Sequence, residues 1–210
     1  MKESTMNSQL TSTPGYRVNQ YKIILTPHED LAKKIMAVQK DFIEKFKVEY
    51  TSVYMPQLIL VTFKQIEAFE ARIINRLNLM AMGYHPVKIE LKDFGSFPSH
   101  TIYINVTSKV TLTELVRKIR EDAQRLMKLD AENKPHFISD GHLTTARKLK
   151  PWQYEKGWLE YSNRQFTAKF VANKMILLRK KEGEYKYSPI QNFEFQNLPV
   201  ETKQGELFEL

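Results

Sequence analysis

Strand-length and helix-length segments alternate along this chain, and this alternation is the feature that most restricts its fold. Short runs rich in β-branched and aromatic residues predict strands, and apolar residues repeated every three or four positions predict helices. The predicted strands are 21–26, 56–63, 87–94, 100–106 and 142–149. The predicted helices are 28–46, 66–82, 111–129 and 151–161. Because the chain has no Gly-rich phosphate loop, the alternation favours an α+β fold over a doubly wound nucleotide-binding fold.

The second half of the chain repeats this outline loosely and then ends in strands. Residues 164–173, 174–181 and 185–197 predict a run of antiparallel strands. Two local details are also predicted: the segment from Gly95 to Pro98 ends the third strand, and Thr113 caps the third helix.

Length and composition restrict the classes of protein to which this chain can belong. A chain of 210 residues with 42% hydrophobic residues can bury a substantial core. The absence of cysteine excludes disulfides and thiolate sites, and it suits a reducing cytoplasm, which is the expected location. Residues 1–19 are polar and lack the apolar centre of a signal peptide, so they predict a flexible leader. No apolar run approaches the ~18 residues that span a bilayer, so no membrane association is expected.

Basic residues are concentrated in one part of the sequence. The segment from Arg147 to Lys181 holds ten lysines and arginines and only two acidic residues, a surplus as large as the net charge of +8 of the whole chain. A basic lobe of this kind favours a polyanionic ligand such as nucleic acid, although a solvated basic face would have the same composition.

A histidine and a threonine stand two positions apart in the strand HLTTARKL. Alternate residues of a strand point to the same side, so His142 and Thr144 share a face, with Ala146 expected beside them and Leu143 opposite. An imidazole exchanges protons near neutral pH, and a hydroxyl on the same face donates to a phosphate oxygen. These two residues, followed by Arg147, therefore suggest a phosphate site, although a lone strand histidine is also common as a structural residue.

The segment HLTTAR resembles the second signature of the two-histidine (2H) phosphoesterases, which include 2′-5′ RNA ligases and cyclic nucleotide phosphodiesterases. The resemblance extends over roughly residues 20–197 and implies one bilobed α+β domain, 20–198, with two antiparallel sheets facing a central cleft and helices outside. Each lobe of such a protein supplies one His-x-Thr/Ser strand to the cleft. One histidine acts as general base and the other as general acid on a 2′,3′-cyclic phosphate or a 2′-5′ linkage, and no metal or other cofactor is needed.

The same resemblance locates the first signature in PQLILVTF, where Gln57 takes the place of the histidine and Ile59 that of the hydroxyl residue. Glutamine hydrogen-bonds phosphate but exchanges no proton at neutral pH. The loss of one general acid or base typically costs ~10²–10⁴ in rate. Replacement of the lost imidazole by His100 or His136 is left open.

Two functional hypotheses follow from the resemblance. In the first, the chain acts on a phosphate-bearing nucleotide or RNA end, with His142 as acid or base, Thr144 and Arg147 holding the phosphate, and Gln57 orienting it. In the second, it is a catalytically inactive RNA- or nucleotide-binding module. Two tyrosines are candidates for stacking a nucleobase, or for packing at the rim: Tyr54 and Tyr103.

The last residues, 199–210, predict a tail with a separate possibility. The sequence KQGELFEL resembles the short Gln-x-x-Leu-Phe peptide by which bacterial replication and repair proteins bind the sliding clamp. Gln204, Leu207 and Phe208 would make those contacts, which suggests a clamp-tethered accessory protein. The alternative is an amphipathic tail that packs on its own domain.

Overall fold

The fold consists of nine strands and four α-helices in the described part of the chain, residues 16–49 and 52–199 of a computed structural model. The strands are β1 (Val18–Leu25), β2 (Leu58–Ile66), β3 (Val87–Phe97), β4 (Thr101–Val106), β5 (His136–Phe137), β6 (His142–Arg147), β7 (Thr167–Ala172), β8 (Lys174–Lys180) and β9 (Ser188–Glu194). The helices are α1 (Glu29–Lys45), α2 (Glu70–Met82), α3 (Lys109–Met127) and α4 (Pro151–Tyr161).

Two antiparallel sheets organise these strands, which confirms the expected α+β class. Sheet A has the strand order β5-β2-β1-β8-β9, and sheet B has the order β6-β4-β3-β7. Helices α2 and α3 pack against each other, α2 also contacts β9 of sheet A, and α1 contacts β6 of sheet B. A single buried apolar cluster joins both sheets and all four helices.

The amphipathic stripe of the first helix is buried as its spacing predicts. The stripe of α1 is Leu31, Ile35, Val38 and Phe42, and all four are buried. Phe42 packs against Tyr161 of α4 with ring centroids 5.0 Å apart. Helix α4 approaches closely at Gly157, where an added Cβ would lie 2.6 Å from the Phe42 ring. Helices α1 and α4 therefore form one layer.

Several element boundaries differ from the sequence predictions. Strand β1 begins at Val18, so the last residues of the expected leader belong to the sheet, and residues 1–15 lie outside the described part. Strand β3 continues through Gly95 to Phe97, and α3 begins at Lys109 with Ser108, instead of Thr113, at its N-cap position. Strand β3 thus ends within the segment predicted to break it, three residues beyond the predicted end at Phe94, and the Thr113 cap is wrong.

The three strands at the end of the chain do not form one continuous run. Strand β7 pairs with β3 in sheet B, whereas β8 pairs with β1 and β9 in sheet A. The chain therefore changes sheets between Ala172 and Lys174. The pairing of β8 with β1 completes sheet A from opposite ends of the sequence.

Candidate functional site

The predicted motif strand β6 presents one half-exposed face. His142 and Thr144 are partly exposed, while Leu143 and Thr145 are buried. The pairing of β6 with β4 contains a β-bulge, because Thr144 lies opposite Tyr103 and Ala146 lies opposite Ile102, which leaves Thr145 as the additional residue.

The bulge changes which residues follow the motif on this face. Ala146 is fully buried instead of lying beside His142, so that expectation is wrong. Arg147 is exposed, consistent with the shift of one position that a bulge imposes on the alternation of side chains. His142, Thr144 and Arg147 are thus the motif residues of β6 that solvent can reach.

His142 is held by one hydrogen bond and two aromatic rings. Its Nδ1 lies 3.2 Å from the backbone oxygen of Asp140. A carbonyl only accepts, so Nδ1 donates in this bond and Nε2 is the nitrogen left for a ligand. The imidazole packs edge-on against Phe97, with centroids 5.0 Å apart, and lies 4.8 Å from the Tyr103 ring.

Tyr103 is the predicted stacking residue on the neighbouring strand β4, and its position depends on a glycine. An added Cβ at Gly95 would lie 2.6 Å from the Tyr103 ring and 2.5 Å from Oδ1 of Asn105, the residue opposite His142. Gly95 therefore gives these side chains room to lie across β3. Burial raises the pKa of Tyr103, and the charge of Asp140 raises it further, so the phenol remains a hydrogen-bond donor.

The strand assigned to the first signature repeats the irregularity of β6. In β2, Ile59 lies opposite Ile24 and Val61 lies opposite Ile23 of β1, so Leu60 is the additional residue of a bulge. The bulge thus occupies the fourth position counted from Gln57, as Thr145 does counted from His142.

Buried and partly exposed residues alternate in the same way at the starts of β2 and β6. Leu58 and Leu60 are buried, and Gln57 and Ile59 are partly exposed, as are their counterparts in β6. Gln57 itself immediately precedes the first residue of β2. Gln57 and Ile59 therefore correspond in position to His142 and Thr144.

Residues 136–147 connect these two strands directly. His136 and Phe137 form β5 against β2, the Ile138 nitrogen donates to the Leu60 oxygen at 2.9 Å, and the chain then enters β6. Gly141 packs so tightly against Leu58 that an added Cβ would lie 3.2 Å from Cδ1 of that leucine. The residues that follow Gln57 and precede His142 are thus in contact, which brings the starts of both motifs together.

Tyr54 contacts the second motif instead of presenting a free ring. Its hydroxyl donates to the backbone oxygen of Thr144 at 3.0 Å, and the guanidinium carbon of Arg147 lies 5.5 Å from its ring centroid. Gln39 of α1 donates through Nε2 to the same Thr144 oxygen and accepts from the Tyr54 nitrogen through Oε1. The segment before β2 is thereby attached to β6, and Tyr54 already has a ring partner in Arg147.

A lysine of sheet A lies within electrostatic range of this arginine of sheet B. Burial lowers the pKa of Lys22, and the positive charges of Arg147 and Lys180 lower it further. Lys22 lies in β1, and its Nζ is 4.0 Å from the ring centroid of Tyr187. Positive charges from both sheets therefore act on each other in this part of the molecule.

Sequence reasoning did not identify Gln39 or Lys22. Gln39 falls on the buried stripe of α1, four positions after Ile35, and a polar residue at such a position was a usable signal. Lys22 alternates with buried Tyr21 and Ile23, so its side of β1 could also have been recognised.

The remaining four histidines lie at other places in the fold than Gln57. His100 follows the β3–β4 turn and precedes Thr101, which lies opposite Arg147 at the far end of β6 from His142. His136 lies opposite Thr62, five residues beyond Gln57 and therefore about 16 Å along the strand. His28 and His85 are exposed at the start of α1 and in the turn after α2.

The basic segment does not form one lobe. Arg164 pairs with Asp41, Lys174 with Glu194, and Arg179 with Glu67 and Glu70. Arg147 and Lys180 are the members that act on Lys22. At least three of the ten basic residues therefore serve ion pairs within the fold.

Three further observations concern the described residues alone. They contain no group of three or more potential metal ligands, and none of their helices combines the length and apolar character needed to cross a membrane. The tail residues Gln204, Leu207 and Phe208 lie outside the described part of the chain.

Comparison with solved structures identifies the fold. Escherichia coli LigT complexed with 3′-AMP aligns with a TM-score of 0.62 at 13% identity, covering 85% of this chain and 99% of that chain. The protein TT0787 of Thermus thermophilus aligns with a TM-score of 0.61 at 14% identity, covering 84% and 98%. The LigT complex with NADP⁺ gives 0.58 at 13% identity, covering 86% and 99%. This chain therefore has a LigT-like fold, as the resemblance implied.

Comparison of sequences gives the family. No curated protein sequence matches this chain. The family model described as the 2′-5′ RNA ligase superfamily matches residues 58–184, which is more than half of the chain. The chain therefore belongs to the 2′-5′ RNA ligase superfamily.

Proposed function

We propose that this protein binds the phosphate of a nucleotide or RNA end between its two sheets, with His142 as the single imidazole at the phosphate. The observation that carries the proposal is the matched geometry of the two motif strands: Gln57 and Ile59 correspond in position to His142 and Thr144, and Gly141 packs against Leu58 where the strands begin. The positive charges of Arg147 and Lys22, which influence each other across the two sheets, suit an anionic ligand. Family membership and the 3′-AMP complex of a LigT with the same fold support a phosphate ester as that anion.

The roles of the individual residues follow from their positions. Nε2 of His142 exchanges the proton, because Nδ1 donates to Asp140. The hydroxyl of Thr144 donates to a phosphate oxygen, and Arg147 and Lys22 neutralise the phosphate charge. Gln57 supplies an amide at the position that corresponds to His142, where it can orient the phosphate but cannot move a proton.

This constellation supports slow turnover at most. With one imidazole, the second proton transfer has no side chain matched to neutral pH, which costs ~10²–10⁴ in rate. Ile59 also gives no hydroxyl to the phosphate. Gln57 and Ile59 therefore favour the second candidate function, a binding module without turnover. One experiment distinguishes this module from a slow enzyme.

The experiment combines binding and turnover of 2′,3′-cyclic nucleotides and 2′-5′-linked oligonucleotides. Arg147→Gln is expected to weaken binding about tenfold, the loss of one charge-assisted contact. His142→Ala abolishes any turnover of the wild type, and Gln57→His combined with Ile59→Thr raises turnover by ~10²–10⁴. His28→Ala is the matched control, because His28 is exposed and makes no side-chain cap hydrogen bond.

The proposal fails if Arg147→Gln and His142→Ala bind both ligands as the wild type does. If the wild type binds but shows no turnover, and the Gln57→His, Ile59→Thr variant gains turnover, the protein is the binding module. If the wild type turns over substrate and His142→Ala does not, it is the slow enzyme.

A further inference from the structure

A cavity lies on sheet A, apart from the motif residues Gln57, Ile59, His142 and Thr144. It has a volume of about 350 Å³, within the range of small-molecule sites. We call it the lysine pocket, and the residues that matter for its chemistry are Gln20, Thr62, Lys64, Lys134, His136 and Tyr187. Thr62 lies in the segment PQLILVTF, but none of these residues is one of the motif positions Gln57, Ile59, His142 and Thr144.

The lysine pocket opens on the same face of sheet A as Lys22. His136 lies opposite Thr62, and Thr62 lies opposite Lys22, so the three form one row across β5, β2 and β1. Residues directly opposite each other in antiparallel strands share a face. Two strand spacings separate His136 from Lys22, about 10 Å, a distance that a short nucleic-acid strand covers and a single phosphate does not.

Lys22 connects the pocket to the proposed phosphate site. Its Nζ lies 4.0 Å from the ring centroid of Tyr187, which lines the pocket, and its pKa responds to Arg147 of β6. The Tyr187 hydroxyl donates to Oε1 of Gln20 at 3.1 Å, which holds the two side chains of the pocket wall together. Lys22 therefore contacts the pocket wall through Tyr187, and its charge is also felt by Arg147.

The chemistry of the pocket suits a nucleotide unit within a strand. Lys64 and Lys134 are exposed and provide two positive charges, against one lining carboxylate, Glu132. The exposed imidazole of His136 offers a flat surface for a base, and the hydroxyl of Thr62 offers a hydrogen bond to a sugar or base edge.

We propose that the lysine pocket binds a second nucleotide of a single-stranded oligonucleotide whose end phosphate lies at His142 and Thr144. The inference rests on the proposed function, because it needs a phosphate at the motif face. It names the substrate class more narrowly: an oligonucleotide, preferred over a mononucleotide.

The test compares two probes, a fluorescent hexauridylate RNA with a 3′-phosphate and 3′-UMP. The variant is Lys64→Ala with Lys134→Ala, and the matched control is Lys33→Ala with Lys40→Ala on α1, where each lysine makes an exposed ion pair of little energetic worth. Affinities are measured across a salt series, and circular dichroism verifies the fold of each variant.

Losing two phosphate contacts on a single strand is expected to lower the salt slope by about 1.4. The hexamer affinity then falls between about 10- and 70-fold at 0.05 M salt, while 3′-UMP binding changes less than about twofold. The control variant keeps the hexamer affinity and slope of the wild type within the same twofold limit.

Two results overturn the inference. An unchanged hexamer affinity in the pocket variant shows that the strand does not reach the pocket, and equal weakening of both probes shows that these lysines act on the first phosphate. If 3′-UMP binding is insensitive to Arg147→Gln in the wild-type background, the proposed function itself has failed. If Arg147→Gln weakens 3′-UMP binding as expected but the Lys64→Ala, Lys134→Ala variant keeps the wild-type hexamer affinity, only the pocket proposal is refuted.

Discussion

Gly141 offers a direct test of how the two motif strands are joined. An added Cβ would overlap Cδ2 of Leu112 on α3 and lie 3.2 Å from Cδ1 of Leu58. Overpacking a buried site typically costs 1–3 kcal/mol, and the lower backbone entropy of alanine in the unfolded chain returns about 0.4–1 kcal/mol. We therefore expect Gly141→Ala to destabilise the protein by about 1–2 kcal/mol.

The assay is urea and thermal unfolding of a double-mutant cycle with Leu112→Val. At this chain length, 1–2 kcal/mol lowers the melting temperature by about 2–8 °C. Leu112→Val alone removes one buried methylene and costs about 1 kcal/mol, but it also removes the overlapping atom. The double variant is therefore expected to be more stable than the sum of the single effects by at least about 1 kcal/mol.

The same variants are informative about phosphate binding. Because Gly141 immediately precedes His142, displacement of this residue moves the start of β6 relative to Leu58, so affinity for 3′-UMP falls in Gly141→Ala and recovers in the double variant. Gly183→Ala is the contrasting control, since its φ of +81° strains alanine although no atom lies within 4 Å of the new Cβ. Purely additive stabilities in the cycle, or a neutral Gly141→Ala, would refute the close contact of Gly141 with Leu112 of α3.

Two further expectations concern the site. Because the charge of Arg147 contributes to the lowered pKa of Lys22, Arg147→Gln raises that pKa toward 10.5, as measured by ¹³C NMR of the lysine Cε, and an unchanged titration contradicts their electrostatic interaction. Between the folded pKa of Lys22 and 10.5, the unfolded chain binds more protons than the folded chain, so the free energy of unfolding increases as the pH rises through that range. Arg147→Gln raises the folded pKa and therefore narrows this pH range. The fully buried hydroxyl of Thr145 has no hydrogen-bond partner among the described residues, so Thr145→Val is expected to stabilise by about 1 kcal/mol and raise the melting temperature by about 2–4 °C; a lower melting temperature shows that the hydroxyl is bonded.

The sequence was sufficient for the fold class and for one face of the site. Period-two alternation located His142 and Thr144 on one side of a strand because the alternation is intact up to Thr144. It failed at Ala146 because a bulge arises from the register between two strands, which a single segment does not encode. The third strand was predicted to end before Gly95, yet it continues to Phe97. The glycine is needed there because the Tyr103 side chain of the next strand lies against it, a contact that a single segment does not encode.

Contacts between distant segments account for the other failures. Strand β5 has only two residues, too few for any periodic pattern, and exists because β2 offers it an edge. Lys22 and Arg147 are 125 positions apart in the sequence, and the pattern of predicted strands and helices does not show which distant residues come near each other. The correspondence of Gln57 with His142 was proposed from sequence, and the matched bulges of β2 and β6 now support the same register.

The strand orders of the two sheets have a consequence for the nascent protein. All four strands of sheet B come from the contiguous segment 87–172, whereas sheet A pairs β1 with β8, about 150 residues later. During synthesis from the N-terminus, sheet B has all of its strands while one edge of β1 still lacks its neighbour. Such an edge is open to pairing with other chains until β8 emerges from the ribosome. We therefore expect chains truncated before residue 174 to aggregate through β1, even though they carry every residue of the motif face.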